Sequence, residues 1–221
     1  MSYLFDPEVL AEVVRMHVGA PVEQQFANVS QTLRSIYGDH VSPGQRWSFS
    51  NAGGVMCSIT PLHVSPSEYL LFSGTAIGSE GHSGRQRTDV QQLVMSGELW
   101  TYEAGSFERK IHRPGDLVML RRGSAHGIKL RPGLWMLEYG RGNVASLLPF
   151  ALAGTAFSTL DFVDLRQQLA QSSKLVLKEL LLRFRERRLS RPFIPNLGAL
   201  GPQDAAPRRS SKRGKGRTLA N

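Results

Sequence analysis

Apolar positions recur along this chain with two different periods, and the change of period divides it. Up to Tyr37 they fall three and four apart: Val9, Leu10, Val13 and Val14, then Phe26, Val29, Leu33 and Ile36. That spacing lines one face of a helix, and the flanking residues agree. Asp6-Pro7-Glu8 supplies an N-cap, a first helical residue and an acid in the first turn, while Gly19 and Gly38 mark the stops. Two amphipathic packing helices are predicted, one from Pro7 to near Gly19 and one from Val22 to Tyr37. From Trp47 the texture becomes short runs of Val, Ile, Leu, Tyr and Trp, cut by Gly, Pro and Ser at intervals of roughly ten residues, as in a β-sandwich or barrel. Strands are predicted over 46–50, 55–61, 68–75, 89–95, 98–103, 108–112, 116–121, 125–130 and 134–140. The helical period returns only after Arg141.

The last of these strands, Leu134-Trp-Met-Leu-Glu-Tyr-Gly-Arg-Gly142, has one acid among apolar residues. Side chains alternate along a strand, so Trp135, Leu137 and Tyr139 share one face and Leu134, Met136 and Glu138 the other. Glu138 therefore points where its neighbours are apolar. A carboxylate there loses hydration, its pKa rises, and it can hold a proton near neutral pH. The alternative is a structural Glu at a sheet edge, paired with Arg141 or with a neighbouring strand.

Asn143 to Leu160 contains no charged residue, but Pro149, Gly154 and several hydroxyl side chains favour a helix that lids the barrel or lies in a membrane interface over one that spans a bilayer. Ser158-Thr159-Leu160-Asp161 reads as a capping box opening a helix to about Leu189. Phe162, Leu165, Leu169, Leu177, Leu180, Leu181 and Phe184 give that helix a broad apolar face, and Arg183, Arg185, Arg187 and Arg188 crowd its end. The predicted organisation is N-terminal helices over 1–45, a β-barrel over 46–142, lid or membrane-associated helices over 143–190 and a basic disordered tail over 191–221.

The net charge of +9 changes this picture little, because 11 of the 27 Lys and Arg but only 2 of the 18 acids lie from Arg183 onward. A basic tail points to a membrane surface or to solvation rather than to nucleic acid. Cys57 is the only cysteine, which excludes an internal disulfide and a cysteine-rich metal site. The N-terminus has neither the basic nor the long apolar region of a signal peptide, so anchoring is expected to fall to residues 143–189.

Several stretches invite other chemistry. Pro114-Gly115-Asp116 followed by Gly123-Ser124-Ala125-His126 resembles the second half-motif of the cupin barrels, whose final His is a metal ligand. A cupin metal site also needs a His-x-His pair and a downstream Glu, and here only His82 and Asp89 stand upstream, so a barrel without metal is expected. Gly78-Ser79-Glu80-Gly81-His82-Ser83-Gly84-Arg85 has the glycines of a phosphate loop without its Lys-Ser/Thr ending, and reads better as a tight connection between strands. His82 is a candidate proton shuttle. Asp89 and Glu68, each beside an apolar strand, are candidate partners for Glu138, since two carboxylates sharing a cavity keep one protonated beside one ionised.

Longer motifs carry a family resemblance. Asn51-Ala52-Gly53-Gly54, Ser67-Glu68-Tyr69-Leu70-Leu71-Phe72 with Gly74-Thr75-Ala76, Gly81-His82-Ser83-Gly84-Arg85, Trp135 to Gly142, and Phe150-Ala151-Leu152-Ala153 through Phe157-Ser158-Thr159 and Asp161-Phe162 resemble the fungal sterol C-8 isomerases and the type-1 sigma receptor. The likeness runs from about Tyr3 to Leu189. It implies a mainly β fold with flanking helices: a metal-free, cupin-like β-barrel with two N-terminal helices and C-terminal membrane-facing helices. It also implies an occluded apolar cavity, no cofactor, a possible homotrimer and an endoplasmic reticulum membrane location, peripheral or monotopic. The isomerases move a sterol double bond from Δ8 to Δ7 through a carbocation; the receptor branch binds hydrophobic amines. Carried over by position, Glu138 is the central carboxylate and Asp89 the second catalytic acid, with Tyr69, Glu68, His82, Met136 and Trp135 as substrate-binding residues. One position departs from the receptor pattern: an Asp expected three residues beyond Asp89 is Gln92.

Overall fold

The computed structural model describes residues 3–43 and 46–189. Helices α1 (Pro7–His17) and α2 (Val22–Tyr37) come first. The strands follow: β1 (Ser48–Ala52), β2 (Val55–Val64), β3 (Glu68–Thr75), β4 (Ser79–His82), β5 (Thr88–Ser96), β6 (Leu99–Tyr102), β7 (Lys110–His112), β8 (Leu117–Leu120), β9 (Gly127–Leu130) and β10 (Leu134–Gly142). Helices α3 (Leu148–Gly154) and α4 (Phe162–Leu189) close the described chain. One antiparallel sheet has the order β1-β2-β3-β10-β5-β8 and the other β4-β9-β6-β7. They face one another as a cupin-like sandwich. Among the described residues no strand pairing joins the two sheets, so the expected barrel is open along its seams.

The middle of the larger sheet is covered on both faces. On one side Leu10, Val13, Val14, Val29 and Leu33 from the first two helices pack with Leu70, Phe72, Leu93, Met95, Leu137 and Tyr139. On the other, Val90, Val94, Leu134 and Met136 meet Leu99, Ile128 and Leu130 of the second sheet. This explains why β3 and β5 are buried almost without alternation. Pairing of β10 with both neighbours fixes the rows across the sheet. Glu138 lies between Leu71 and Gln92, and Arg141 between Glu68 and Asp89. Directly paired residues share a face, so these two rows, three residues apart, project to opposite sides.

The first helices begin and end as the sequence predicts. The Asp6 carboxylate accepts a 2.8 Å hydrogen bond from the Glu8 N–H, and Gly38 follows α2 with a φ of +59°. The predicted connection around Gly78–Arg85 instead contains β4, because its backbone hydrogen bonds come from β9 and owe nothing to side-chain pattern. The capping box at Ser158 is also corrected. Thr155–Thr159 forms a π turn, Leu160 adopts a left-handed φ of 54°, and the Asp161 carboxylate accepts from the Asp164 N–H at 3.0 Å. Asp161 thus starts α4.

Helix α4 presents its polar residues to the sheet. Asp164 accepts from the Phe49 N–H at 2.9 Å, Gln168 donates to the Phe49 carbonyl, and Glu179 meets His40 Nδ1 at 2.7 Å. Desolvation pushes the Glu179 pKa up, but hydrogen bonds from His40 and Arg183 outweigh it and hold the carboxyl below its ordinary range. The apolar Phe162, Val163, Leu177, Leu181 and Phe184 face outward and are exposed. Among the described residues no helix is long and apolar enough to cross a membrane. The expected basic tail over 191–221 lies outside the described residues.

Glu68 ties the segment before α1 and helix α4 to the sheet. It is fully buried and accepts from the Leu4 N–H at 2.9 Å, the Phe5 N–H at 3.4 Å, the Tyr139 hydroxyl at 3.0 Å and Arg183 at 3.3 Å. Glu68→Ala is expected to cost about 3–5 kcal/mol, the range for breaking a buried charged network. Urea unfolding measures it; a loss under about 1 kcal/mol, typical of an exposed ion pair, would contradict this role.

Candidate functional site

A cavity of about 280 Å³ lies between the sheets and under α3 and α4. Its walls include Val55, Ile59, Val64, Leu71, Val90, Leu120, Ile128, Leu130 and Met136, closed above by Leu147, Phe150, Leu152 and Leu169. Among the described residues Glu138 is its one carboxylate. The Tyr69 hydroxyl donates to Glu138 Oε1 at 2.8 Å and the Gln92 amide to Oε2 at 3.0 Å. Burial pushes the Glu138 carboxyl above its usual range, and these two hydrogen bonds pull against the shift without cancelling it. Burial, followed by the neighbouring carboxylate, drives the Tyr69 phenol well above its ordinary pKa. The same desolvation, with a contribution from Glu138, pushes the Cys57 thiol up to about 12. Tyr69 and Cys57 are thus neutral, and Glu138 is the cavity acid whose hold on its proton burial strengthens.

Backbone geometry makes this arrangement possible. Gly140 lies opposite Tyr69 on the adjacent strand, and the phenol ring lies flat over it, where a Cβ would overlap the ring. The ring crosses β10 in this way to reach Glu138. Neither Gly140 nor Cys57 was a predicted site residue, since both depend on which strands become neighbours. Gln92 stands where the receptor resemblance puts an Asp hydrogen-bonded to the central Glu, and its amide makes that contact with Glu138 instead.

The predicted site residues divide between the two faces of the sheet. Tyr69, Met136, Glu138 and His82 line the cavity, His82 at its edge with Nδ1 accepting from the Gly84 N–H at 2.9 Å. Asp89 does not join them. It lies on the Arg141 row, paired with Arg122 at 3.0 Å, and hydrogen bonds from the Arg122 N–H and guanidinium lower its pKa. The expected acid pair is therefore corrected to a single cavity carboxyl. Glu68 is corrected likewise, because it faces the N-terminal segment. Trp135 packs on Phe26 and Trp47 at ring distances of 5.5 and 5.3 Å, on the helix-covered face. Among the described residues no three His, Cys, Asp or Glu side chains converge as a metal site requires. A wider groove of about 620 Å³ lies outside the sandwich, beside Tyr3, Leu180 and Phe184. Its cation, Arg183, is already engaged by Glu68 and Glu179.

The fold is two-sheeted and cupin-like, and it encloses an apolar cavity lined by the Glu138 carboxyl. The chain belongs to the ERG2 and Sigma1 receptor like protein family, whose model matches residues 1–183. It is 40% identical over 179 residues to sigma non-opioid intracellular receptor 1 of Gallus gallus, covering 80% of this chain and 81% of that one. It is 34% identical over 178 residues to the protein erg2 homolog of Dictyostelium discoideum, covering 80% and 76%. An RmlC-like cupin from Shewanella frigidimarina superposes with a TM-score of 0.40 and 19% identity, over 48% of this chain and 92% of that one.

Tyr69→Phe and Gln92→Leu each delete one donor to Glu138 and are expected to raise its pKa further. Carboxyl-detected NMR titration of Glu138 reads this directly, and a lowered pKa in either variant would refute the assignment of these donors to the ionised form.

Proposed function

We propose that the cavity holds a sterol-like hydrocarbon and that Glu138 shifts a ring double bond from Δ8 to Δ7. The observation that carries this reading is one desolvated carboxyl, with a raised pKa, set into apolar walls. Protonation of C-9 leaves a tertiary cation at C-8, and loss of a proton from C-7 completes the shift. Both carbons are bonded to C-8, so one carboxyl can give the first proton and take back the second. With Asp89 on the far face, acid and base are the same group. Once it has given its proton, the Glu138 carboxylate stabilises the cation across a low-dielectric gap. Membership of a family with an erg2 homolog supports the reading.

A second reading, non-catalytic binding of a hydrophobic amine or a sterol, is favoured by one observation. Tyr69 and Gln92 donate to both oxygens of Glu138, which favours the carboxylate that an ammonium ion would meet. In both readings the outward apolar residues of α4 rest on a membrane surface, with the endoplasmic reticulum as the proposed location.

The two readings have opposite pH dependence. Isomerisation starts from protonated Glu138, so its rate should fall as pH rises through the raised pKa; amine binding needs the carboxylate and should strengthen over the same window. The assay is conversion of a Δ8 sterol by membranes of a host without its own isomerase. Glu138→Gln is expected to lower turnover by at least about 100-fold, in line with loss of a general acid–base. Because its folded pKa is raised, ionising Glu138 lowers stability as pH climbs above the unfolded value, so the Gln variant should keep or gain Tm at neutral pH. Saturable amine binding without conversion by the wild type would decide for the second reading.

Replacing Phe162, Val163, Leu177, Leu181 and Phe184 with Ser should abolish flotation with neutral phospholipid vesicles while the described fold persists. Undiminished flotation would exclude this face as the membrane contact.

A further inference from the structure

Helix α4 is fastened to the rest of the chain at two places. Near its start, Asp164, Gln168 and Gln171 bond to backbone groups of Arg46 and Phe49. Towards its end the contacts are between charged side chains, and two of them meet on one histidine. His40 lies in the single turn Gly38–His40 that follows α2. Its Nδ1 stands 2.7 Å from Glu179 Oε2, and its Nε2 stands 3.0 Å from Glu186 Oε1. An ionised carboxylate only accepts, and a neutral imidazole has a single N–H to give. Both contacts are therefore hydrogen bonds only when the ring is an imidazolium that donates from both nitrogens. Burial by itself would lower the His40 pKa, but the hydrogen bonds to Glu179 and Glu186 outweigh it and raise the value.

The charged and titratable groups around this contact are engaged elsewhere or shared. From β2, His63 donates its Nδ1–H to the His40 carbonyl at 3.0 Å and lies 3.7 Å from Glu179. Burial lowers the His63 pKa, so this second ring stays neutral. From α2, Arg34 donates to the Val41 carbonyl at 2.7 Å and lies 4.0 Å from Asp39. On α4 itself, Arg183 donates to Glu179 and reaches the buried Glu68 at 3.3 Å. Glu179 is thus shared between Arg183 and His40, while the exposed Glu186 reaches back to the same imidazole.

We propose that His40 is a pH-sensitive latch for α4: as an imidazolium it clamps Glu179 and Glu186 together, and on losing a proton it releases one of them and loosens the second half of the helix. The neutral ring can donate to one carboxylate and turns a lone pair towards the other. Helix α4 runs unbroken from Phe162 to Leu189, so its two ends are mechanically joined. Its Gln168, Leu169, Gln171 and Ser172 line the cavity, and its Glu179, Leu180, Arg183 and Phe184 form one wall of the outer groove. The latch therefore sets how firmly that wall is held and the cavity closed, whichever molecule the cavity takes. The sign follows from linkage. A histidine whose folded pKa is raised contributes its stabilisation fully below the unfolded value and loses it as pH rises through the folded value. Helix α4 is tight at mildly acid pH and loose at alkaline pH.

Amide hydrogen exchange of the full chain in neutral detergent, corrected for the intrinsic pH dependence of exchange, tests this. Residues 175–186 should lose protection about tenfold as pH rises from mildly acid to alkaline, roughly the effect of one charge-assisted hydrogen bond. Helix α1 should keep its protection. His40→Lys holds a cation beside the carboxylates throughout this window and should abolish the step. Glu138→Gln should retain it, which separates the latch from the cavity carboxyl. Ring-nitrogen NMR of the wild type needs no variant: His40 should titrate above the ordinary histidine value, in step with the loss of α4 protection. A His40 ring that titrates at or below that value, α4 protection that does not change with pH, or a step that persists in His40→Lys overturns the proposal.

Discussion

A carboxyl group set among apolar walls is the constraint around which this protein is arranged. Glu138 sits in the central strand of a sheet covered on both faces, so no solvent reaches it through the sheet. Its stabilisation comes from two neutral donors, Tyr69 and Gln92, on the strands to either side. Neither donor brings a charge, and so neither removes the proton affinity that burial confers. An arginine at either position would have fixed Glu138 as an anion. Neutral donors leave it able to exist in both forms.

The helix-covered face of the same sheet shows the opposite treatment of acids. Glu68 and Asp89 lie on the row of Arg141, and each is matched with a guanidinium from elsewhere in the chain. Those carboxylates organise the structure: Glu68 gathers the N-terminal segment and α4, and Asp89 holds the β8–β9 connection. Alternation across a strand thus separates acids that hold the chain together from the acid that lines the cavity. The separation is enforced by register, since a slip of one residue would exchange the faces.

Helix α4 reverses the usual amphipathic arrangement. Its hydrogen-bonding side chains fill the sheet-facing side, satisfying backbone groups of β1 and the His40 ring. Apolar residues such as Leu165, Leu175, Val176 and Leu182 are only partly covered, and the most apolar face is left outward. The inward face closes the cavity with Gln168, Gln171 and Ser172, so what shuts the cavity also presents an apolar surface.

Much of this was legible in the chain. Helical spacing located both N-terminal helices, alternation placed Glu138 and Met136 together on the face away from Trp135 and Tyr139, and the apolar surroundings of Glu138 announced a perturbed carboxyl. Periodicity is local, and these features depend on nothing further away than a few residues. The sequence could not say what lies across from each position. Asp89 and Gln92 both follow the same glycine-rich stretch, and the pairing of β5 with β10 set Gln92 beside Glu138 and Asp89 beside Arg141, on the other face, where Arg122 from beyond β8 meets it. Gly140 is an unremarkable glycine until Tyr69 from another strand is laid over it. Local chemistry therefore determined that this chain buries an acid. Long-range strand register, which no local pattern encodes, decided that it buries one in the cavity rather than two, and what surrounds it.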